Sequence, residues 1–177
     1  MDVIIRQERE TDYELTEAVV EKAFKNAEYS DHREHFLIAR LRKSSAFLPE
    51  LSLVAELAGE KIVGHIMFSL LTIETDDEQI PVLGLAPVAV LPEHQNRGIG
   101  SALIEHGLKE CKKLGFKIVV LVGHPNYYPR FGFVPAGSKG LKAPFEVPDE
   151  AFMVLELSPG ALANIKGTVK HPPEFGI

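Results

Sequence analysis

The sequence contains very little of what several large protein classes require. Its 177 residues include one cysteine, Cys111, which excludes an internal disulfide and a metal site built from several cysteines. No apolar run reaches the roughly 20 residues that a transmembrane helix needs. The net charge of −6 at pH 7 leaves no basic excess for a dedicated nucleic-acid binder. We therefore expect the chain to bind neither nucleic acid nor membrane.

The amino terminus and the composition predict a cytoplasmic globular protein. The sequence MDVIIRQERE lacks the basic start and the long apolar stretch of a secretory signal peptide. Apolar residues make up 45% of the chain and charged residues 25%, which is typical of a soluble domain. The length suits one well-packed domain, and we predict a single domain over residues 1–177. An acidic surface is compatible with a cationic small molecule or a basic peptide as partner.

Hydrophobic periodicity predicts one strand, two helices and three further strands in the first half of the chain. The predicted elements, in chain order, are the strand 3–6, the helices 12–24 and 31–42, and the strands 51–57, 62–73 and 80–91. Turns at Gly59 and at residues 76–78 separate the last three strands, which predicts an antiparallel meander. Leu15 is a predicted core position of the first helix, and Asp31 is the candidate N-cap of the second.

The second half of the chain predicts a helix between strands. An amphipathic helix runs to Leu114, and Gly115 is expected to end it. The β-branched run 116–124 is typical of a strand buried on both faces. Further along, the pattern predicts a turn or short helix at 125–133 that leads into another strand, an irregular loop at 135–150 and a last strand at 151–157. The tail from Ser158 is expected to add a short helix and an edge segment.

A glycine-rich stretch, QNRGIG at residues 95–100, lies between a predicted strand and a predicted helix. It is not a P-loop, because Ser101 follows Gly100 where a P-loop has lysine. Leu103 replaces the third glycine of the dinucleotide fingerprint, which disfavours a nicotinamide-dinucleotide binder. Gly98 and Gly100 let the backbone approach a ligand, and the first N–H groups of a helix attract anions. A pyrophosphate suits this loop; a tight turn without a ligand is the plain structural alternative.

A proline interrupts the strand that precedes this loop. Pro87 in LAPVAVLP has no N–H to donate, so a central strand cannot pair normally there. We therefore expect free backbone groups from Val88 to Val90, onto which a ligand with its own amides can add like a short strand. An edge strand with a harmless proline is the alternative. Coenzyme A combines a pyrophosphate, two amides and a reactive end.

Two motifs together resemble the GCN5-related N-acetyltransferase (GNAT) family. The run LAPVAVLPEHQNRGIGSALIEHGLKECKKLGF matches the acetyl-CoA signature Arg/Gln-x-x-Gly-x-Gly/Ala through Gln95, Gly98 and Gly100. The later NYYPRFGF matches the family element Tyr-x-x-x-Gly-Phe through Tyr128 and the Gly-Phe pair that follows. Within the family, the sequence of these motifs is most similar to small bacterial members whose substrate is uncharacterised. The resemblance implies an α/β (α+β) GNAT-type acyl-CoA N-acyltransferase fold: a mixed, mostly antiparallel sheet, splayed between the fourth and fifth strands and flanked by helices.

The resemblance also implies an acetyl-CoA-dependent N-acetyltransferase, in which a primary amine of a small molecule or peptide attacks the thioester directly. Acetyl-CoA is then the co-substrate, and no metal is implied. The strand would bind the pantetheine arm through its backbone, and the loop and helix start would hold the pyrophosphate. The cofactor-binding residues so implied are Val88, Ala89, Val90, Gln95, Asn96, Arg97, Gly98, Ile99, Gly100 and Ser101. Family members dimerise in several ways, so a homodimer is compatible with the resemblance.

Two residues are candidates for proton transfer. Tyr128 matches the tyrosine that protonates the departing thiolate in many relatives, and a phenol stays protonated at neutral pH; aromatic packing is its alternative role. Some relatives carry a carboxylate base on the fourth strand, but residues 82–91 contain no acid. His124 is the candidate base, since imidazole exchanges protons near neutral pH. A water chain and a purely structural His124 are the alternatives, and a catalytically silent acyl-CoA-binding or sensing module is the rival function.

Four further residues are interpreted as structural. His32 and His35, with neighbouring acids, match no helical zinc spacing and predict a solvated helix face rather than a metal site. His65 is expected in the core with its hydrogen bonds satisfied. Cys111 lies on the apolar side of its helix and is expected to be a small core residue.

Overall fold

The computed structural model describes residues 2–28, 30–58 and 61–177. The chain forms two compact units, and each is made from two stretches of sequence. The first unit comprises Met1–Phe68 and Ala86–Glu110, and the second comprises Ser69–Leu85 and Cys111–Ile177. Neither unit is therefore one continuous segment of the chain. The single domain over residues 1–177 stays a prediction.

Nine strands and three helices make up the regular structure of the described residues, with short 3-10 turns between several of them. The strands are β1 (Val3–Gln7), β2 (Phe47–Leu57), β3 (Lys61–Glu74), β4 (Gln79–Val90), β5 (Ile118–Val122), β6 (Val134–Pro135), β7 (Leu141–Lys142), β8 (Phe152–Glu156) and β9 (Gly167–Lys170). The helices are α1 (Tyr13–Phe24), α2 (Glu34–Leu41) and α3 (Ile99–Lys113). Within the described chain, none of these helices has the length and apolarity that crossing a bilayer requires.

The first unit contains the β1-β2-β3-β4 part of the hydrogen-bonded strand order. β1 pairs antiparallel with β2 along its full length. Helix α3 approaches β3 closely: a Cβ on Gly107 would lie 2.4 Å from the Phe68 ring, and one on Gly64 would lie 3.0 Å from the Leu103 side chain. This packing holds the helix whose first turn contains the predicted phosphate-binding residues.

The second unit contains the β4-β5-β8-β6 part of the strand order. β8 pairs antiparallel with both β5 and β6. The tail adds β9, which pairs antiparallel with the end of β3 and parallel with β7, and a 3-10 turn at Pro173–Phe175. A buried apolar cluster that includes Val120, Val154 and Val169 joins these strands. The sequence predicts a short helix and an edge segment in this tail. The structure has a three-residue 3-10 turn, and β9 lies between β3 and β7 rather than at an edge of the sheet.

The predicted fold class is confirmed. Four of the described strand pairs are antiparallel (β1–β2, β3–β9, β5–β8 and β6–β8) and two are parallel (β4–β5 and β7–β9). The register of β4 with β5 consists of Leu83–Val119 and Gly84–Val120, although β4 continues to Val90. Pairing that ends this early agrees with the splay between the fourth and fifth strands that the resemblance implies.

Helix α2 is shorter than the sequence predicts. It begins at Glu34 rather than at Asp31. His32 has a φ of 61°, and this left-handed conformation cannot continue a right-handed helix. Asp31 is therefore not the N-cap; its Oδ1 accepts a hydrogen bond of 2.9 Å from the N–H of Arg33.

The buried face of α1 differs by one position from the predicted face. Thr16, Val19 and Val20 are buried, whereas Leu15 is 55% exposed. The spacing of the apolar residues predicts the helix correctly but not this side chain, because an exposed leucine costs little at a protein surface.

Several element bounds also differ from the prediction. β2 begins at Phe47 rather than at residue 51, and β5 occupies Ile118–Val122 within the predicted run 116–124. The predicted irregular loop at 135–150 contains the short strand β7. The predicted turn at Gly59 lies outside the described residues.

Gly115 ends α3 as predicted. Its φ is 90°, its N–H bonds to the carbonyl of Lys112 at 3.0 Å, and the N–H of Phe116 bonds to the carbonyl of Cys111 at 3.2 Å. This pair of hydrogen bonds defines a Schellman motif, in which glycine is favoured because of the left-handed conformation. Cys111 itself is fully buried, which confirms its place in the core.

Candidate active site

The loop between β4 and α3 contains most of the predicted cofactor-binding residues. Gln95, Asn96, Arg97 and Gly98 are exposed. Two of these residues have left-handed backbones, with φ of 62° at Asn96 and 82° at Gly98. The N–H of Ala102 bonds to the carbonyl of Gly98 at 3.0 Å, so the first helical hydrogen bond closes here. The loop thus turns sharply and presents the first turn of α3.

Space is open beside the backbone of Gly98, just before the first turn of α3. A Cβ on Gly98 would have no heavy atom within 4 Å, so this glycine is needed for its conformation rather than for lack of room. Ile99 is only 4% exposed, so its side chain belongs to the core and it can offer a ligand little but backbone. The N–H groups of a first helical turn have no intrahelical acceptor and bind anions.

The last residues of β4 are held on one side by the rest of the first unit. The N–H of Leu91, just after the strand, donates to the carbonyl of Val63 in β3 at 2.8 Å. The side chain of Ala89 is 3% exposed, whereas Val88 and Val90 are half-buried. The Nε2 of Gln95 donates to the carbonyl of Val90 at 3.0 Å. Gln95 therefore bridges the strand end and the loop that follows it.

A cavity of about 350 Å³ lies in the first unit beside this strand end. Four predicted residues line it together: Val88, Ala89, Val90 and Gln95. The other walls come from the end of α1 and the segment after it, and from the start of the loop: Lys22, Ala23, Phe24, Asn26, Ala27 and Pro92. The cavity is thus lined by the predicted cofactor-binding residues of β4 and by Gln95, the first predicted residue of the loop. The remaining predicted residues, Asn96–Ser101, do not line it.

Tyr128 begins the 3-10 turn Tyr128–Phe131 in the second unit. Its ring packs on the backbone of Gly123, where a Cβ would lie 2.5 Å from the ring, and its centroid lies 6.0 Å from that of Phe133. Burial, with a smaller contribution from the neighbouring Tyr127, raises the pKa of Tyr128 to about 12. The Tyr128 ring is therefore packed against its neighbours and its phenol is held in the protonated form, while its role as a proton donor stays a prediction.

His124 follows the end of β5 and is exposed. Its carbonyl accepts hydrogen bonds from the N–H groups of Tyr127 at 3.2 Å and Tyr128 at 3.5 Å. The backbone of His124 thus shapes the turn, as the structural alternative expects. A role for its imidazole in catalysis stays a prediction.

The sequence and the fold together decide the family. A model of the acetyltransferase (GNAT) domain matches residues 4–136. The chain belongs to the GNAT family. Every predicted site residue, from Val88 to Tyr128, lies within the matched stretch.

Similar proteins give the same result along the whole chain. The uncharacterised N-acetyltransferase YhbS of Escherichia coli K12 is 30% identical over 173 residues, which is 98% of each chain. A crystal structure of E. coli YhbS in complex with CoA superposes with a TM-score of 0.88, over 99% of this chain and 92% of that one. A GNAT acetyltransferase of Brucella melitensis in complex with acetyl-CoA is 33% identical over 98% of each chain, with a TM-score of 0.80.

A further E. coli K12 relative matches part of its length. The uncharacterised N-acetyltransferase YjhQ is 41% identical over 119 residues, which is 67% of this chain and 65% of the relative. The matched stretch thus spans less than two thirds of YjhQ.

The GNAT chain also contains a buried polar network that the sequence does not indicate. In the first unit, Arg42 Nη2 lies 2.7 Å from Glu8 Oε2, with the two side chains 5% and 1% exposed. The hydroxyl of Ser52 donates to Glu8 Oε1 at 2.8 Å and lies 3.0 Å from Nε2 of His65. The predicted core position of His65 is confirmed, since it is fully buried, but only Nε2 is hydrogen-bonded; Nδ1 has no partner among the described residues.

The acidic and histidine residues before and within α2 are engaged locally. Nδ1 of His32 lies 2.7 Å from the carbonyl of Phe24, and Nε2 of His35 lies 3.3 Å from Glu21 Oε2. In the part of the chain that the structure describes, no group of three His, Cys, Asp or Glu residues is placed to hold a metal ion.

Sequence reasoning missed the contribution of α1 to the cavity beside β4. Phe24 and Asn26 lie more than 60 positions before Val88, and no motif connects them. The only signal in the sequence is the predicted end of the first helix at residue 24. It shows where the helix ends, but not which part of the protein the following residues contact.

Proposed function

We propose that this GNAT protein transfers an acetyl group from acetyl-CoA to a primary amine of a small molecule or peptide by direct attack. Family membership supports acetyl-CoA as the co-substrate, as do the CoA complex of YhbS and the acetyl-CoA complex of the Brucella relative. The observation that carries the proposal is that β4 continues to Val90 while its register with β5 ends at Gly84. A strand that has lost a neighbour can pair with a ligand that carries amides.

The pantetheine arm is assigned to the backbone of Val88 and Val90. The cavity beside these residues supplies room along the strand. The carbonyl of Val90 already accepts from Gln95, but a carbonyl oxygen has two lone pairs and can accept a second hydrogen bond. A backbone N–H near this strand end would stabilise the oxyanion that forms on the acetyl carbonyl.

The pyrophosphate is assigned to the start of α3. The left-handed backbones of Asn96 and Gly98 and the open space over Gly98 suit the close approach of an anion. Backbone N–H groups from Arg97 to Ser101 supply the donors, and the helix dipole and the guanidinium of Arg97 supply positive charge. These residues fit the group that the family implies.

The reaction needs three proton transfers: the ammonium loses one proton before the attack, the attached nitrogen loses a second as the amide forms, and the sulfur gains one. The amine nitrogen forms a bond to the thioester carbonyl carbon, the carbon–sulfur bond breaks, and the departing thiolate takes a proton. Tyr128 is the proposed donor, since its raised pKa keeps it protonated over the whole physiological range. The amine must also lose a proton before it attacks. The exposed imidazole of His124 and a chain of water molecules are the two proposed acceptors.

A thiol-release assay with acetyl-CoA and a panel of amines tests the proposal. We expect release that depends on both substrates, with the acetylated amine detected by mass spectrometry. The absence of an acid in residues 82–91 favours the rival function, a catalytically silent acyl-CoA-binding or sensing module. Tight acetyl-CoA binding without release on any amine would support that module, and failure to bind acetyl-CoA would contradict both functions. A cytoplasmic location and a homodimer stay predictions.

A further inference from the structure

A second cavity lies entirely within the second unit. Residues between Gly137 and Phe152 line a solvent-open cavity of about 630 Å³, and the aromatic or branched side chains of Phe145, Val147 and Phe152 form part of its wall. Phe152 belongs to the buried apolar cluster of this unit, and Val147 packs against that cluster. The wall is therefore part of the packed structure, which distinguishes it from a loose surface loop.

The rim of this cavity is charged. Lys142, Glu146 and Asp149 line it, and all three are exposed. No ion pair within the described residues involves any of these three side chains. Two carboxylates against one ammonium leave one net negative charge. The cavity thus offers apolar area together with charge complementary to one cation.

Strand register relates this cavity to Tyr128 within the same unit. Phe152 is the register partner of Val122, and paired residues of antiparallel strands project to the same face. The N–H of Gly123 bonds to the carbonyl of Ala151 at 2.9 Å, so the pairing continues one residue further. The Tyr128 ring covers the side of Gly123 on which a Cβ would project. Because successive residues alternate in side, Tyr128 and the cavity lie on opposite faces of this strand end.

We infer that this cavity binds the acceptor amine, and that the acceptor is a monoamine with an aromatic or branched apolar body. The inference rests on the proposed function and specifies its substrate class. The apolar wall receives the body of the molecule, and Glu146 or Asp149 holds its single ammonium group in a charge-assisted hydrogen bond. Polyamines and aminoglycosides fit poorly, because Lys142 repels additional cations and these molecules leave the aromatic wall uncovered.

The opposite placement of Tyr128 agrees with the chemistry of the transfer. In the tetrahedral intermediate the attacking nitrogen and the leaving sulfur are two different substituents of the same carbon, so the acceptor amine and the proton donor for the thiolate need separate approaches to it. A cavity for the amine on one face of the strand end and a proton donor for the thiolate on the other face meet this requirement.

Binding of 2-phenylethylamine to the full chain tests the inference, with spermidine and 2-phenylethanol as matched probes. Spermidine keeps the positive charge but lacks the ring, and 2-phenylethanol keeps the ring but lacks the charge. We expect calorimetry to give the tightest binding for 2-phenylethylamine, and NMR to show its largest amide shifts within residues 141–152. Tighter binding of spermidine, or shifts confined to other segments, would overturn the inference.

Substitutions of the residues that line the cavity test the inference further. Glu146→Gln combined with Asp149→Asn should weaken binding of 2-phenylethylamine by about tenfold or more, because a charge-assisted hydrogen bond is lost. Phe145→Ala should weaken it by about fivefold through lost apolar contact. Glu150→Gln removes an exposed carboxylate next to Asp149 but outside the cavity lining and should change nothing. Equal binding by all the variants would contradict the inference, provided that their melting temperatures match.

Acetyl-CoA binding and thiol release, measured on the same proteins, separate the two proposals. If thiol is released with other amines while 2-phenylethylamine does not bind at the cavity, the inference fails and the proposed function stands. If the probe binds at the cavity but no amine supports thiol release, the proposed function fails and the acceptor role of the cavity fails with it, which leaves an amine-binding site. Loss of acetyl-CoA affinity in the cavity variants would also count against a separate acceptor site.

Discussion

Nε2 of His65 lies 3.0 Å from the hydroxyl oxygen of Ser52, and that hydroxyl donates its proton to Glu8. Because a hydroxyl has only one proton to give, its oxygen must accept from His65, so Nε2 is the protonated nitrogen. Nδ1 then carries a lone pair that has no donor among the described residues. The imidazole is buried in its neutral form, and burial lowers the pKa of His65 from 6.5 to about 4.

The first prediction concerns stability in mild acid. The unfolded chain takes up a proton at His65 below pH 6.5, whereas the folded chain resists it down to about pH 4. Stability should therefore fall as the pH drops through this window, by about 3 kcal/mol from this residue, and then level off. Urea unfolding of the protein and of His65→Gln, from pH 7 to pH 4, should show a smaller loss in the variant. The exposed His124→Gln is the control and should keep the full loss.

The second prediction concerns the buried ion pair of Arg42 and Glu8. Arg42→Ala should destabilise the protein by about 3–5 kcal/mol, because it leaves the Glu8 carboxylate buried without its counter-charge. Changing Arg42 and Glu8 together to Met should restore much of that loss. Lys61→Ala removes one partner of the exposed pair Lys61–Glu93, at 3.9 Å, and should cost about 1 kcal/mol or less. Equal losses at Arg42 and Lys61 in denaturant titrations would contradict the argument.

This network shows why part of the molecule could not be predicted from the sequence. Glu8 and Ser52 are 44 positions apart, and their contact depends on how β1 and β2 align. A single serine or histidine in a strand pattern gives no indication of that alignment. By contrast, Gly115 was predictable, because the end of a helix is decided by the few residues around it.

In the candidate site, too, local sequence patterns were predictable and contacts between distant segments were not. The loop from Gln95 to Gly100 and the Tyr128 motif are local patterns that can be recognised in the sequence alone. The walls at Phe24 and Phe145 come from elements whose position depends on tertiary packing, so neither cavity could be predicted. The predicted helix start at Asp31 was wrong because the left-handed backbone of His32 prevents the helix from beginning before it, although the sequence pattern is helical.

The third prediction concerns Tyr128 as a proton donor. Tyr128→Phe should lower kcat by about 100-fold, since general acid catalysis contributes at least that much, while acetyl-CoA affinity stays nearly unchanged. With a pKa of about 12, the tyrosine should cause no alkaline loss of activity below about pH 10. Steady-state kinetics from pH 6 to pH 10 measure both effects.

Gly123→Ala provides an independent check on the same residue. Its new Cβ would lie 2.5 Å from the Tyr128 ring and should displace it, so turnover should fall as in Tyr128→Phe. Lys61→Ala, at an exposed position that lines neither cavity, is the control and should keep full turnover. Unchanged turnover in Tyr128→Phe would show that the proton comes from elsewhere.

The fourth prediction concerns the start of α3. Gly100→Val should weaken acetyl-CoA binding by about tenfold or more, because a branched side chain would crowd the backbone donors of the first turn. Gly137→Val, outside the loop, should leave the affinity as it is. Calorimetric titration with acetyl-CoA gives the comparison, and equal dissociation constants would mean that the pyrophosphate binds elsewhere.

Strand β9 shows what the tail from Ser158 contributes, although the family match ends at residue 136. It pairs with Thr72, Ile73 and Glu74, the last three residues of β3. If the tail were trimmed away, the backbone N–H and C=O groups there would become an open sheet edge, which recruits strands from other molecules. Shortened versions of this protein should therefore self-associate and precipitate, even where every residue of the proposed active site is retained.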